Sequence, residues 1–89
     1  MRQKKITIFG GSGFIGRHLV RILCSDGWEV RVAVRDYEGA QFLKPLGDVG
    51  QVVIWQTNIM DQMQVASALK NVDAVINLVG IMYQSEKFT

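Results

Sequence analysis

The run Gly10-Gly11-Ser12-Gly13-Phe14-Ile15-Gly16 constrains this chain more than any other feature. Four glycines in seven residues lose more backbone entropy on ordering than an ordinary turn does, so a plain connector has little use for them. The run lies between two patterned segments. Residues 5–9 form a short apolar stretch that reads as a buried strand. Residues 14–26 carry apolar side chains at 15, 19, 22 and 23, a helical spacing, with Gly27 as a stop. A strand that runs through glycines into a helix brings the helix's free N–H groups and positive dipole end to the loop. That is a site for an anion. Gly10 and Gly11 allow the tight turn out of the strand, Gly13 leaves room for phosphate oxygens, and Gly16 lets the helix pack closely on the strand. Ser12 adds a hydroxyl donor. Gly11-x-Gly13-x-x-Gly16 is the spacing that holds a dinucleotide pyrophosphate, and its strand–loop–helix context is what gives it weight. The alternative is a glycine-rich turn without a ligand.

The rest of the chain continues the same alternation. Residues 29–35 put Val30, Val32 and Val34 on one side and Arg31, Ala33 and Arg35 on the other, a second strand. Residues 37–43 predict a weak, short helix stopped by Pro45, followed by a loop at Gly47 and Gly50. Residues 51–56 predict a third strand. Asp61 with Gln64 has the capping-box spacing, opening a helix that carries Val65, Ala68 and Leu69 and ends near Asn71. Residues 74–79 predict a fourth strand, apolar enough for burial on both sheet faces. Strands separated by helices imply parallel pairing and right-handed crossovers. The expectation is an α/β domain over residues 1–89, the N-terminal half of a Rossmann fold, with four parallel strands ordered 3-2-1-4 and flanking helices.

Composition excludes several classes. With 48% hydrophobic and 20% charged residues the chain can build a core. A net charge of +2 is too mild to argue for nucleic acid or an anionic membrane. Cys24, the single cysteine, sits in the apolar helical pattern and reads as a core residue in a reducing compartment. The basic start and the apolar stretch after it imitate a leader peptide, but glycines interrupt it, Arg17 and His18 follow, and no cleavage site fits. No run reaches the ~18 apolar residues of a membrane span. His18 has no partner at ligand spacing, Trp28 and Trp55 read as packing residues, and no metal site is expected.

The end of the second strand bears on the cofactor. An NAD site usually has an acidic residue about 20 residues past the loop, bonded to the ribose 2′-OH. Here the strand ends Val34-Arg35-Asp36, with valine where the acid is expected and a guanidinium next. Arg35 suits a 2′-phosphate, so NADP(H) is favoured and NAD(H) is the alternative. Asp36 keeps the alternative open, because it can turn inward or pair with Arg35. Asn58 and Ile59, after the third strand, are candidates for the adenine border, and Val79 and Gly80 for the ribose. The plain alternative for Asn58 is a loop-stabilising asparagine.

From Ile8 to Val20 the sequence resembles the start of an extended or atypical short-chain dehydrogenase/reductase, of the NAD-dependent epimerase/dehydratase kind. There the glycine spacing is Gly10-x-x-Gly13-x-x-Gly16. More narrowly, Val30-Arg31-Val32-Ala33-Val34-Arg35, the Pro45 to Gln51 segment and the Asp73 to Ile81 segment are similar to the NADPH-binding accessory subunits of respiratory complex I and their bacterial relatives. The resemblance implies that Gly10, Gly13, Phe14, Ile15 and Gly16 contact the pyrophosphate, Arg35 the 2′-phosphate, Asn58 and Ile59 the adenine, and Val79 and Gly80 the ribose. It also implies later strands and a substrate-binding part beyond this sequence. The implied location is cytoplasmic or on the mitochondrial matrix side, peripheral to the membrane through a complex. Tyr83 and Lys87 have the Tyr-x-x-x-Lys spacing of the family's catalytic pair, but they follow the fourth strand and not the fifth, so they read as coincidence. No catalytic residue is expected in this chain. Three readings follow: a non-catalytic NADPH-binding subunit, part of an active reductase or epimerase, and a module without cofactor.

Overall fold

The structure, a computed structural model, describes residues 3–10 and 13–79. The elements are β1 (Lys5–Phe9), α1 (Phe14–Ser25), β2 (Glu29–Val34), a 3-10 helix (Glu38–Leu46), β3 (Val52–Gln56), α2 (Gln62–Ala68) and β4 (Ala74–Asn77). The strands form one sheet ordered β3-β2-β1-β4, and every neighbouring pair is parallel, as the sequence predicts.

Register sorts the side chains into two layers. Ile6 pairs with Val30, and Val30 with Val52, so the alternate residues of β1, β2 and β3 share one face. On that face Ile6, Ile8, Val30, Val32, Val34, Val52 and Ile54 pack with Val20 and Cys24 of α1 and with Ala40 and Leu43 of the 3-10 helix. Gly16, Val20 and Cys24 lie four residues apart and form the buried stripe of α1. On the other face Phe9 and Ala33 meet Ala68 of α2, flanked by Trp55 and Val65.

The ends of α1 are built as the sequence indicates. Gly27 takes φ 89°. Its N–H reaches the Cys24 carbonyl at 3.0 Å, and the Trp28 N–H reaches that of Leu23 at 3.1 Å. This is a Schellman closure, and it needs the left-handed residue that glycine supplies. Gln51 adds a second closure. Its Nε2 donates to the carbonyls of Cys24 at 2.8 Å and Trp28 at 2.9 Å, and its Oε1 accepts from the Asp48 N–H at 2.9 Å. The Pro45 to Gln51 segment therefore closes the far end of α1.

Three expectations need correction. The second helix runs on through Pro45, because it is a 3-10 helix. Proline's fixed φ near −65° suits that backbone, and the residue forgoes only one short-range bond. The fourth strand stops at Asn77, and Leu78 and Val79 have already left the extended conformation. It is not covered on both faces among the described residues. Val75 is 49% exposed, because β4 is the end strand and the short α2 covers the region around Phe9 and Ala33.

Cys24 is buried, as expected. Burial pushes its thiol pKa up, and the Asp48 carboxylate adds to the shift. The folded state therefore favours the neutral thiol. Its contribution to stability is complete below the unfolded-state thiol pKa of about 8.5 and declines as pH rises beyond it. A disulfide reagent at pH 7.5 is expected to label Cys24 only as fast as the protein opens. Labelling at the rate of a free thiol would contradict the burial.

Candidate functional site

The strand order makes a crevice at the carboxyl end of β1. The chain leaves β1 toward β2 on one side, while β4 arrives on the other after the crossover from β3. Open parallel sheets bind ligands at such a switch point.

Gly10 forms the floor of the turn. Its φ is 78°, and a Cβ there would lie 2.7 Å from Val79 Cγ2 and 3.3 Å from Val79 N. Glycine is required twice, for the left-handed backbone and for the approach of the chain after β4. Gly13 is different. It is the N-cap of α1 with φ −82°, no side chain caps the helix among the described residues, and the first turn holds no acidic residue. A Cβ at Gly13 would meet nothing within 4 Å. Where Ser or Asp would normally occupy the first N–H groups, glycine leaves them to a ligand. Phe14 and Ile15, 79% and 60% exposed, have side chains without a donor, so to an anion they can offer only these backbone groups. Gly11, Ser12 and Gly80 lie outside the described residues, as do Tyr83 and Lys87.

Two adjoining clefts lie along the carboxyl edge. One, of about 400 Å³, is lined by Gly10, Ala33, Val34, Arg35, Asp36, Thr57, Ile59 and Val79. The other, of about 420 Å³, is lined by Arg35, Gln56, Thr57, Asn58 and Gln64. Each falls within the roughly 300–1,000 Å³ of small-molecule sites. The structure thus brings together Gly10, Arg35, Ile59 and Val79 in one cleft and places Asn58 in its neighbour. Arg35 stands at the junction. Its guanidinium makes no hydrogen bond or ion pair among the described residues, and it is the one formal charge lining the second cleft. A guanidinium without a partner and a helix N-terminus without a side-chain cap among the described residues thus lie on one edge, an arrangement suited to anionic groups.

Asp36 lines the first cleft beside Arg35 but makes no ion pair with it among the described residues. Its Oδ1 accepts from the Gly39 N–H at 3.0 Å and so opens the 3-10 helix. Asn58 has the loop-stabilising bond, Oδ1 accepting from the Met60 N–H at 3.0 Å, and the residue lines the second cleft. Asp61 caps α2 through the N–H groups of Met63 and Gln64. Gln64 does not complete the reciprocal box. Its Oε1 accepts from the Asn58 N–H at 2.7 Å and its Nε2 donates to Asp61 Oδ2 at 3.2 Å, fastening the Asn58 loop to α2.

Sequence reasoning did not single out Thr57. It is 2% exposed, lines both clefts, and is fixed by its N–H to the Val34 carbonyl at 2.7 Å. Only its place just past the third apolar strand could have marked it. His18 is exposed. Among the described residues no group of three or more His, Cys, Asp or Glu is placed to hold a metal, and no helix is long and apolar enough to cross a membrane.

The sequence matches the NmrA-like family over residues 2–88. It is 37% identical over 84 residues to the mitochondrial NADH dehydrogenase (ubiquinone) 1 alpha subcomplex subunit 9 of Dictyostelium discoideum, covering 93% of this chain and 24% of that protein. It is 34% identical over 85 residues to an isoflavone reductase homolog of Zea mays, covering 90% of this chain and 27% of that protein. The chain therefore spans about a quarter of the length of these relatives. Vestitone reductase from alfalfa superposes with a TM-score of 0.74 at 20% identity, over 84% of this chain and 24% of that one, which shows the fold. The structure of AtPrR2 with NADP+ and (+)pinoresinol gives 0.70 at 27% identity, over 86% of this chain and 26% of that one. The glycine turn, the parallel 3-2-1-4 sheet and these matches agree: the chain belongs to the NmrA-like family, an NAD(P)-binding family with the fold of short-chain dehydrogenases and reductases.

Proposed function

We propose that this chain binds NADP(H), with the pyrophosphate at the N-terminus of α1, the 2′-phosphate at Arg35, the adenine between Ile59 and Asn58, and the ribose near Val79 and Gly80. The observation that carries the reading is the uncommitted Arg35 guanidinium at the junction of two clefts whose walls include Gly10, Ile59, Val79 and Asn58. In the protein as a whole the cofactor serves to hold the fold, since a ligand bound only by the native state stabilises it. Similarity to mitochondrial NADH dehydrogenase subunits supports a place within a respiratory assembly, at the matrix side or its bacterial equivalent. A second reading, an active NADP-dependent reductase or epimerase, draws on the likeness to AtPrR2 with its NADP+ and (+)pinoresinol.

Calorimetric titration of the purified protein tests the binding reading. NADPH is expected to bind at least about tenfold more tightly than NADH. Arg35→Ala is expected to weaken NADPH by about 10–100-fold, the value of a charge-assisted bond worth roughly 1.5–3 kcal/mol, and to leave NADH unchanged. Equal losses for both cofactors would remove Arg35 from the 2′-phosphate. Carbonyl-dependent oxidation of NADPH separates the second reading from the first, which expects none.

A further inference from the structure

We infer that Gly39 sets the cofactor preference by latching Asp36 away from the 2′-position of the adenosine ribose; this rests on the NADP(H) reading above. Asp36 follows Arg35 directly and lines the same cleft. A carboxylate free in that cleft would repel a 2′-phosphate, compete for the guanidinium, and accept a hydrogen bond from a 2′-OH. In this structure the Gly39 N–H holds its Oδ1 at 3.0 Å, and the carboxylate makes no ion pair with Arg35 among the described residues.

The latch requires that residue 39 have no side chain. A Cβ built on Gly39 would fall on Asp36 Oδ2 and lie 2.8 Å from its Cγ. Something must yield, and the backbone is not under pressure to do so. Gly39 has no positive φ and sits in the first turn of the 3-10 helix, where alanine is at least as acceptable as glycine. Asp36 is exposed and its carboxylate is the end of a mobile side chain, so the carboxylate moves. Released from Gly39, it remains tethered beside Arg35 at the cleft wall. Gly39 is thus a positioning residue that acts through Asp36, and the same strand end can serve either cofactor according to where this carboxylate is held.

The test is the ratio of NADH to NADPH dissociation constants in the wild type, Gly39→Ala, Asp36→Ala and the double variant. A general folding defect weakens both cofactors and leaves the ratio alone. The expected result is a ratio at least about tenfold lower in Gly39→Ala and a wild-type ratio in both Asp36→Ala and the double variant. A wild-type ratio in Gly39→Ala would overturn the latch and leave the role of Arg35 standing. An equal fall in the double variant would also overturn it, since the effect would not run through Asp36. A wild-type protein with no preference for NADPH would overturn the NADP(H) reading and the latch together.

Discussion

Gly13→Asp is expected to leave the fold intact, or slightly stabilised, and to weaken NADPH binding by about 100-fold or more. The two halves of that outcome have one cause. Gly13 has an ordinary extended backbone at φ −82° and open space where a Cβ would stand. Aspartate is among the best N-caps, and its carboxylate would accept from first-turn N–H groups that no side chain caps among the described residues. Those are the groups assigned to the pyrophosphate. The variant would satisfy the helix internally and set a negative charge where an anion has to dock. A hundredfold loss is about 2.8 kcal/mol, within reach of one or two lost charge-assisted bonds and the added repulsion.

Gly10→Ala should behave in the opposite sense. Its left-handed φ adds roughly 1–2 kcal/mol of strain, and forcing a methyl group against Val79 adds about 1–3 kcal/mol. The fold is expected to lose about 2–5 kcal/mol. Thermal unfolding and calorimetry on both variants check the pair. If Gly13→Asp binds NADPH as the wild type does, the pyrophosphate is not at α1. If Gly10→Ala melts with the wild type, the contact with Val79 is not required.

The sequence assigned these two glycines different roles, the turn to Gly10 and the room for phosphate to Gly13, but not the close approach of Val79 to Gly10. Periodicity and punctuation were enough for the strand order, since each strand is marked by apolar residues and each helix by a stop or a cap. Gly27 and Asp61 act where their residue types predict. What stayed hidden were choices among competing partners. Asp36 had Arg35, the cleft and a backbone N–H within reach, and only the path of the chain toward Gly39 decides among them. Gln64 was placed correctly at the head of α2, but its side chain reaches the N–H of Asn58 instead of that of Asp61. Residues 74–79 illustrate a different limit. An apolar strand reports that a face can be buried, not that a layer is present to bury it, and Val75 has none among the described residues.

Arg31 was hidden for a similar reason, and its replacement should have the second large effect, this time on stability. In an alternating strand it reads as one side chain of the less apolar face. In the structure its Nη1 donates to the carbonyls of Ala68 and Lys70 at 2.9 Å each and to that of Ser67 at 3.4 Å. The guanidinium also lies over the Trp55 ring, 4.3 Å from its centroid. Ser67 and Ala68 supply the last carbonyls of α2, a helix of seven residues, and Lys70 lies just past its C-cap. A helix so short is not stable alone, and its carboxyl end carries unpaired acceptors and a partial negative charge. Arg31 answers both. Thr7, its neighbour across β1 and β2, donates its hydroxyl to the same Ala68 carbonyl at 2.7 Å.

Arg31→Met keeps the apolar stem and removes the charge. It is expected to lower unfolding free energy by about 2–3 kcal/mol, the value of one to two charged hydrogen bonds and a cation–π contact after allowance for the solvent-exposed ends. Arg31→Lys keeps the charge without the planar fork and should recover only part of that loss. Thr7→Val alone should cost about 1 kcal/mol. The double replacement should exceed the sum of the two, because it strips the Ala68 carbonyl of both side-chain donors. Urea midpoints with an unchanged slope would measure all four variants. An Arg31→Met protein that unfolds at the wild-type midpoint would mean that the guanidinium does not hold α2, leaving the Thr7 hydroxyl and the packing of Ala68 on Phe9 and Ala33 to do so. In that case the second cleft, whose wall includes Gln64 of α2, would owe nothing to Arg31.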